Sequence, residues 1–437
     1  MKKTLISLCM CTMFSANLYA KKQESTQRVE TLSHSIEQDV INWRHHFHQN
    51  PELSNREFKT AKYISDHLNK LGLEVQTGIA HTGVVAILDS GKPGPVVALR
   101  ADIDALPITE RAEVPFASTV TTQYNGKEVG VMHACGHDTH AAMLMGVAEI
   151  LVKMKGELKG KVKFIFQPAE EGAPAGESGG AELMVKEGVL KSPDVDVIFG
   201  IHINSQTDVG TIKYRSGGIM AAVDPFKITI KGKQSHGAYP WLSVDPIVTS
   251  AQIIMGLQTI VSRELKLIDN AAVISVGSIH GGNRSNIIPE EVELVGTIRT
   301  LNSDMRTHIL EAVRRKATSI AQSMNAEVDV KLPDGFNYPV TYNDPKLMDE
   351  MLPTLVKTAG SDNIKLVNAV MGAEDFSFFQ KEVPGLYLFV GGKTKETPES
   401  EAPGHHTPDF VIDDAGLKLG VQVMSNLTLD YMNKTSK

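Results

Sequence analysis

The sequence predicts an α/β protein, a mixed, mostly parallel sheet with helices against it, interrupted by a ferredoxin-like βαββαβ domain. Three observations predict it. Short apolar strands alternate with helices through the first half of the 437-residue chain. Three of those strands lead into polar residues, as strands do when their carboxyl ends line one edge of an open sheet. From about residue 219 the pattern becomes strand, helix, strand, strand, helix, strand, and after about 334 helices and a strand return. The expected organisation is a domain in two parts, 25–218 and 334–437, with 219–333 inserted between them.

In chain order, Val29, Leu32, Ile36, Val40, Trp43 and Phe47 recur at steps of three and four, the spacing of one helical face, and Asn50-Pro51 stops that helix. Phe58, Ala61, Ile64, Leu68 and Leu71 predict a second helix closed by Gly72. Two buried strands follow, Val84–Leu88 and Val96–Leu99. The second runs on to Asp102 and Asp104, whose alternate spacing can turn both carboxylates into one crevice. Met143, Leu144, Val147, Ile150, Leu151 and Met154 mark a helix. Lys161–Gln167 is a strand ending at Glu170-Glu171, 180–187 a helix, and Val197–Ile201 a strand that delivers His202.

In the inserted block Phe226, Ile228 and Ile230 alternate as a strand, followed by a helix over Pro246–Val261 and a strand over Ala272–Ile279. Val292, Leu294, Gly296 and Ile298 alternate again, then come a helix over Met305–Met324 and a strand over Ala326–Leu332. Beyond Asn343 lie helices, a strand Tyr387–Val390, the pair His405-His406, and a closing helix from Asp413.

Residues 1–20 read as a secretory leader: Lys2 and Lys3, an apolar run from Leu5 to Phe14, and small residues before Ala20. The run is too short to span a bilayer, so cleavage leaves an exported chain, periplasmic or secreted, with no stable membrane anchor. Loss of Lys2 and Lys3 takes the net charge from −7 to −9, which argues against nucleic acid as a partner. Cleavage also removes Cys9 and Cys11 and leaves Cys135 as the remaining thiol of three. Exported proteins use cysteine in pairs. An unpaired one among histidines therefore points to a metal ligand or a nucleophile.

Those histidines lie in His133-Ala134-Cys135-Gly136-His137-Asp138-Thr139-His140. Cys135 and His137, either side of flexible Gly136, can face one point if the segment is a loop, and a sulfur–nitrogen pair suits zinc or a similar borderline ion. His45, His46 and His48 share no single helical face, so a structural or solvent-facing role is expected for them.

Together, Cys135-Gly136-His137-Asp138, Glu170-Glu171, His202, the inserted ferredoxin-like domain and His406-Thr407-Pro408 resemble the M20 metallopeptidase family. Within it they resemble the amidohydrolase branch of aminoacylases, hippurate hydrolases and auxin-conjugate hydrolases. The likeness runs from Phe47-His48-Gln49-Asn50-Pro51-Glu52-Leu53 to the last helix. It implies a zinc-peptidase-like catalytic domain and a satellite domain that makes a homodimer. It also implies two divalent ions, zinc or manganese with cobalt or nickel as alternatives, held by Cys135, His137, Glu171, His202 and His406.

Glu170 is implied as general base, a free carboxylate beside a metal-bound one, and Asp104 as an orienter of a ligand. His236 is implied to stabilise an oxyanion. Asn286 and Arg299 are implied to bind substrate, Arg299 at its free carboxylate. Asp102 stands where many members carry a ligand histidine. His405 adjoins His406, and the distance to Pro408 favours the latter. Gly372-Ala373-Glu374-Asp375-Phe376 is implied to shape the pocket. The implied activity is metal-dependent hydrolysis of N-acyl amino acids or small peptides. Two readings stay open beside it: Cys135 as a nucleophile paired with a histidine, and a non-catalytic protein that binds acylated amino acids.

Overall fold

The computed structural model describes residues 24–435; the expected leader, with Cys9 and Cys11, lies outside the described residues. The chain forms two compact units. One holds the described residues up to Ser216 with Asn343–Val367 and the chain from Phe379 on; the other holds Gly217–Tyr342 with Asn368–Phe378.

The first unit opens with helix α1 (24–35), α2 (Glu37–Gln49) and α3 (Phe58–Lys70). Strands β1 (Glu74–Ile79), β2 (Gly83–Asp89) and β3 (Val96–Asp102) follow, then a hairpin of β4 (Thr121–Tyr124) and β5 (Lys127–Gly130). Next come α4 (His137–Lys153), β6 (Lys161–Gln167), α5 (Gly180–Lys186), β7 (Val197–Asp208) and β8 (Ile212–Tyr214). The second unit supplies β9 (Gly217–Met220), β10 (Ala222–Lys231), β11 (Ser235–His236), α6 (Pro246–Glu264), β12 (Ala272–Gly281) and β13 (Ile287–Ile288). It continues with β14 (Glu291–Thr300), α7 (Ser303–Ser323), β15 (Glu327–Lys331) and β16 (Thr341–Asn343). The remainder is α8 (Pro345–Ala359), β17 (Ile364–Leu366), α9 (Ser377–Glu382), β18 (Gly385–Lys393) and α10 (Leu417–Thr435).

The first unit is built on an eight-stranded sheet in the order β1-β2-β6-β3-β7-β18-β8-β17. Its central strands β6, β3, β7 and β18 run parallel, while β2 joins β6 and β8 joins β18 antiparallel. Every residue of β18 is buried, as is all of β6 past its first residue. That is the expectation for parallel strands covered on both faces, and it explains why they read as continuous apolar runs. Helix α4 is buried from His137 to Ala148. A helix sheathed on all sides can carry polar groups only if they are paired or liganded, which makes its polar first turn conspicuous.

Some expectations need adjusting. The first helix turns at Ile36, although bonds from Ile36 N–H to Leu32 O and from Val40 N–H to Ile36 O carry it through. Phe58, first residue of α3, is 63% exposed despite fitting the apolar repeat. β7 continues to Asp208, so His202 sits within a strand rather than past its end. The closing helix begins at Leu417, after a 3₁₀ turn over Asp414–Gly416. β1 and the β4–β5 hairpin are mostly exposed and therefore left no apolar alternation to read.

The second unit is an antiparallel sheet in the order β12-β14-β10-β15. Phe226, Ile228, Ile230 and Leu294 of its strands pack with Ile253 and Leu257 of α6 and with Ile309 and Val313 of α7. Asp245 starts α6, its carboxylate accepting the Ile247 and Val248 N–H groups ahead of Pro246 at the first turn, the arrangement that best caps a helix. This unit extends beyond the expected 219–333. Ala221 N–H lies 3.1 Å from Val370 O and 2.9 Å from Gly372 O, so the Asn368–Phe378 segment belongs with it. No described helix is long and apolar enough to cross a membrane.

Candidate metal centre

Gly136 decides where the cysteine–histidine motif bends. It precedes α4 with φ +98°, and a Cβ there would lie 2.4 Å from Ile203 Cγ2. Torsion and space both exclude a side chain. Cys135 therefore ends the loop while His137 begins the helix, and the two donors turn inward from different backbone conformations.

His137 is fully buried. Its Nδ1 donates to the Asp104 carbonyl at 2.9 Å and lies 3.2 Å from Asp104 Oδ1, which leaves Nε2 as the nitrogen that a metal ion could take in place of its proton. That atom is buried without a hydrogen-bond partner. It faces Asp102 Oδ2 at 3.7 Å, Glu170 Oε2 at 3.8 Å and Glu171 Oε1 at 3.9 Å. Burial opposes a charge on the ring, but Asp102, Asp104 and Glu171 outweigh it and push His137 up to about 10. An orphaned imidazole nitrogen in so negative a pocket fits a cation.

Cys135 Sγ is the second focus. His202 Nε2 lies 3.3 Å from it, with Nδ1 bonded to Ile203 O at 2.5 Å. His406 Nε2 also lies 3.3 Å from it, and 3.1 Å from Glu171 Oε1. His406 reaches this point through a left-handed backbone, φ +61°, held by its N–H on Ala134 O at 2.8 Å. Cys135, His137, Glu171, His202 and His406 thus converge from the loop before α4, its first turn, the turn after β6, the middle of β7 and the segment ahead of Phe410. Thiolate, imidazole and carboxylate together suit a borderline divalent ion.

The adjacent histidines are accounted for differently. His405 uses Nδ1 on Cys135 O at 3.0 Å and Nε2 on Ser205 N–H at 3.2 Å, and burial pulls it down to about 4. With both nitrogens engaged it braces the loop, which separates it from His406. His140 is likewise saturated, by Asp102 Oδ1 at 2.5 Å and Ile203 N–H at 2.8 Å. Asp102 Oδ2 accepts from Arg100 Nη1 at 2.6 Å, and Arg100 Nε donates to Gln167 Oε1 at 2.8 Å. Asp102 is thereby a link between β3, β6 and α4 as well as a wall of the pocket. Asp104 divides its carboxylate: Oδ1 faces His137, while Oδ2 accepts Ser54 Oγ at 2.8 Å and Glu171 N–H at 3.0 Å.

Beneath α4 lies a buried ionic network that the sequence did not reveal. Asp138 Oδ2 accepts from Arg44 Nε at 3.0 Å and His48 Nδ1 at 2.9 Å, and His48 Nε2 lies 3.0 Å from Glu110 Oε1. His45, half-buried by contrast, pairs with Asp414 at 2.7 Å. Burial opposes protonation of His48, but Asp138 and Glu110 override it and raise it to about 9. The folded state thus favours protonated His48. Its stabilisation is fully present below the imidazole's usual 6.5 and is lost as pH rises through about 9. A urea-unfolding series between pH 6 and 10 should lose stability over that window, and His48→Gln should flatten it; an unchanged slope in the variant would assign the loss elsewhere.

The remaining sequence candidates lie in the second unit. His236 is exposed, and its Nδ1 accepts Ala238 N–H at 3.0 Å, so Nε2 carries the proton of the neutral ring as a donor. β11 pairs with β13, and Gly237 N–H donates to Asn286 O at 2.8 Å, which places His236 and Asn286 on one ribbon. Arg299, on β14, approaches Met371 O at 3.4 Å. Among the described residues no carboxylate lies within ion-pair distance of it, and Asp224, whose charge it feels, pairs with Arg306 at 2.7 and 2.6 Å.

Residues 98–430 match the Peptidase family M20/M25/M40. The chain is 41% identical over 400 residues to thermostable carboxypeptidase 2 of Saccharolobus solfataricus, covering 91% of this chain and 97% of that protein. The chain is a member of peptidase family M20. Among its M20 relatives, N-acetylcysteine deacetylase of Bacillus subtilis is 39% identical, with 89% of this chain and 96% of that protein covered. The crystal structure of the Bacillus subtilis YXEP protein, a dinuclear metal binding peptidase from the M20 family, superposes with a TM-score of 0.74 at 35% identity, covering 91% of this chain and 99% of that one. As an M20 enzyme this chain hydrolyses amide C–N bonds with the help of divalent metal ions.

Proposed function

We propose that this M20 enzyme releases amino acids from N-acyl amino acids or small peptides, at a two-ion centre held by Cys135, His137, Glu171, His202 and His406. The observation that carries the assignment is the buried His137 Nε2, which has no hydrogen-bond partner and faces three carboxylates beside the Cys135 cluster. Divalent ions at such a site polarise a carbonyl and lower the pKa of water. Zinc or manganese is the proposed native pair, thiolate and imidazole favouring zinc.

Glu170 is the proposed base. It removes a proton from the attacking water and returns it to the departing amine nitrogen. His236 donates its Nε2–H to the oxyanion, and Asn286 binds the substrate. A carboxypeptidase substrate and N-acetylcysteine both carry a free carboxylate next to the scissile amide, and Arg299 is the proposed cation for it. Exposed Trp241, Leu242, Ile247, Val248 and Met255 of the second unit support a homodimer through that unit. We further propose an exported location, on the leader-like first 20 residues.

Chelation followed by return of the metal is expected to abolish and then restore amine release from N-acetyl, N-benzoyl and dipeptide substrates. A chelator-insensitive activity would favour Cys135 as nucleophile instead. Tight binding of these compounds without release would favour the binding-protein reading. Sedimentation equilibrium on the same preparation should give twice the chain mass, and a monomer would remove the dimer proposal.

A further inference from the structure

Ala169 precedes the carboxylate pair with φ +53°, a left-handed conformation that a β-carbon disfavours. A residue so placed persists only where its surroundings hold it. Its N–H donates to Glu57 Oε1 at 2.9 Å, and Glu57 Oε2 accepts the Thr82 hydroxyl at 2.6 Å. Glu57, immediately before α3, has no exposed surface. Two residues beyond Ala169, Glu171 N–H is held by Asp104 Oδ2 at 3.0 Å. Buried carboxyls thus grip the turn on either side of Glu170, one reaching from the start of α3 and the other from the end of β3.

We propose that Glu57 is a positioning residue for Glu170: by gripping the Ala169 N–H it maintains the left-handed turn that sets the direction of the Glu170 side chain. The proposal rests on the reading of Glu170 as general base. Burying a carboxyl is unfavourable unless it is fully satisfied, and Glu57 reaches that state through this backbone group and Thr82. Burial first, then the charge of Asp104, push Glu57 up to about 8. Because burial favours its neutral form, its neutral isostere should replace it.

Glu57→Leu removes the grip while keeping apolar bulk, and Glu57→Gln keeps an acceptor oxygen for Ala169. With metal-loaded full-length protein, the leucine variant is expected to lose about 10- to 100-fold in kcat, with wild-type metal content and a KM close to wild type. The glutamine variant should recover most of that kcat. Thr82→Val frees the other Glu57 oxygen and should give a smaller kcat loss in the same direction, which carries the test if Glu57→Leu does not fold. Wild-type kcat in Glu57→Leu, or a loss that merely tracks lost metal, overturns the proposal; so does an unaffected Thr82→Val if it alone folds. Glu170→Gln run beside them separates the two claims. Turnover retained there defeats the base assignment itself, whereas an inactive Glu170→Gln with an unaffected Glu57→Leu defeats only the positioning role.

Discussion

Glu170→Gln is expected to keep both ions and lose about 10²- to 10⁴-fold in kcat, the usual contribution of a positioned general base. Both neighbouring carboxylates approach His137 Nε2, Glu170 at 3.8 Å and Glu171 at 3.9 Å, and Glu171 also meets His406. Glu171 Oε1 lies 3.1 Å from His406 Nε2, within the cluster around Cys135, and its backbone N–H is tied to Asp104. Glu170 is 6% exposed and approaches His137 Nε2 to 3.8 Å. A carboxylate bound to metal is a poor base, so with Glu171 as the proposed ligand its neighbour Glu170 is the proposed proton carrier. Glutamine preserves volume and hydrogen bonding but not basicity. Metal analysis and steady-state kinetics on one preparation read both halves: kcat should fall while KM and bound metal hold. Loss of metal in parallel with kcat would instead make Glu170 a ligand.

Cys135→Ala is expected to lose metal and turnover together. Replacing an outer-shell partner of a metal ligand costs about 10- to 100-fold in affinity or activity, so removing a direct donor should cost at least the upper end of that range. Sγ is the atom that both His202 Nε2 and His406 Nε2 approach at 3.3 Å, so its removal disorganises both imidazoles. The same geometry would serve a thiol nucleophile. Added metal distinguishes the two, because a nucleophile mutant should bind metal normally and still fail to turn over.

The parallel strands β3, β6, β7 and β18 were legible because strands covered on both faces must be apolar throughout, and the βαββαβ block because half-buried strands alternate. β1 and the β4–β5 hairpin carry no such signature, being mostly exposed. The five proposed donors follow from the family resemblance, but two distinctions needed geometry. His405 and His406 are adjacent and chemically identical, and only their hydrogen bonds show that His405 is already saturated. Gly136 marked a bend, yet that Cys135 lies in a loop and His137 in a helix follows from φ +98° and the approach of Ile203. Least legible were Glu57, Arg44, His48 and Arg100. Polar residues in or beside helices and strands are ordinarily exposed, and their burial depends on partners up to 370 positions away, as Arg44 and Asp414 illustrate.

The most direct test of the centre is the near-ultraviolet absorption of cobalt-reconstituted protein. The geometry around Cys135 predicts a thiolate-to-cobalt charge-transfer band in the wild type, unchanged in Glu170→Gln and absent in Cys135→Ser. A wild-type protein that binds cobalt without that band would contradict ligation by Cys135.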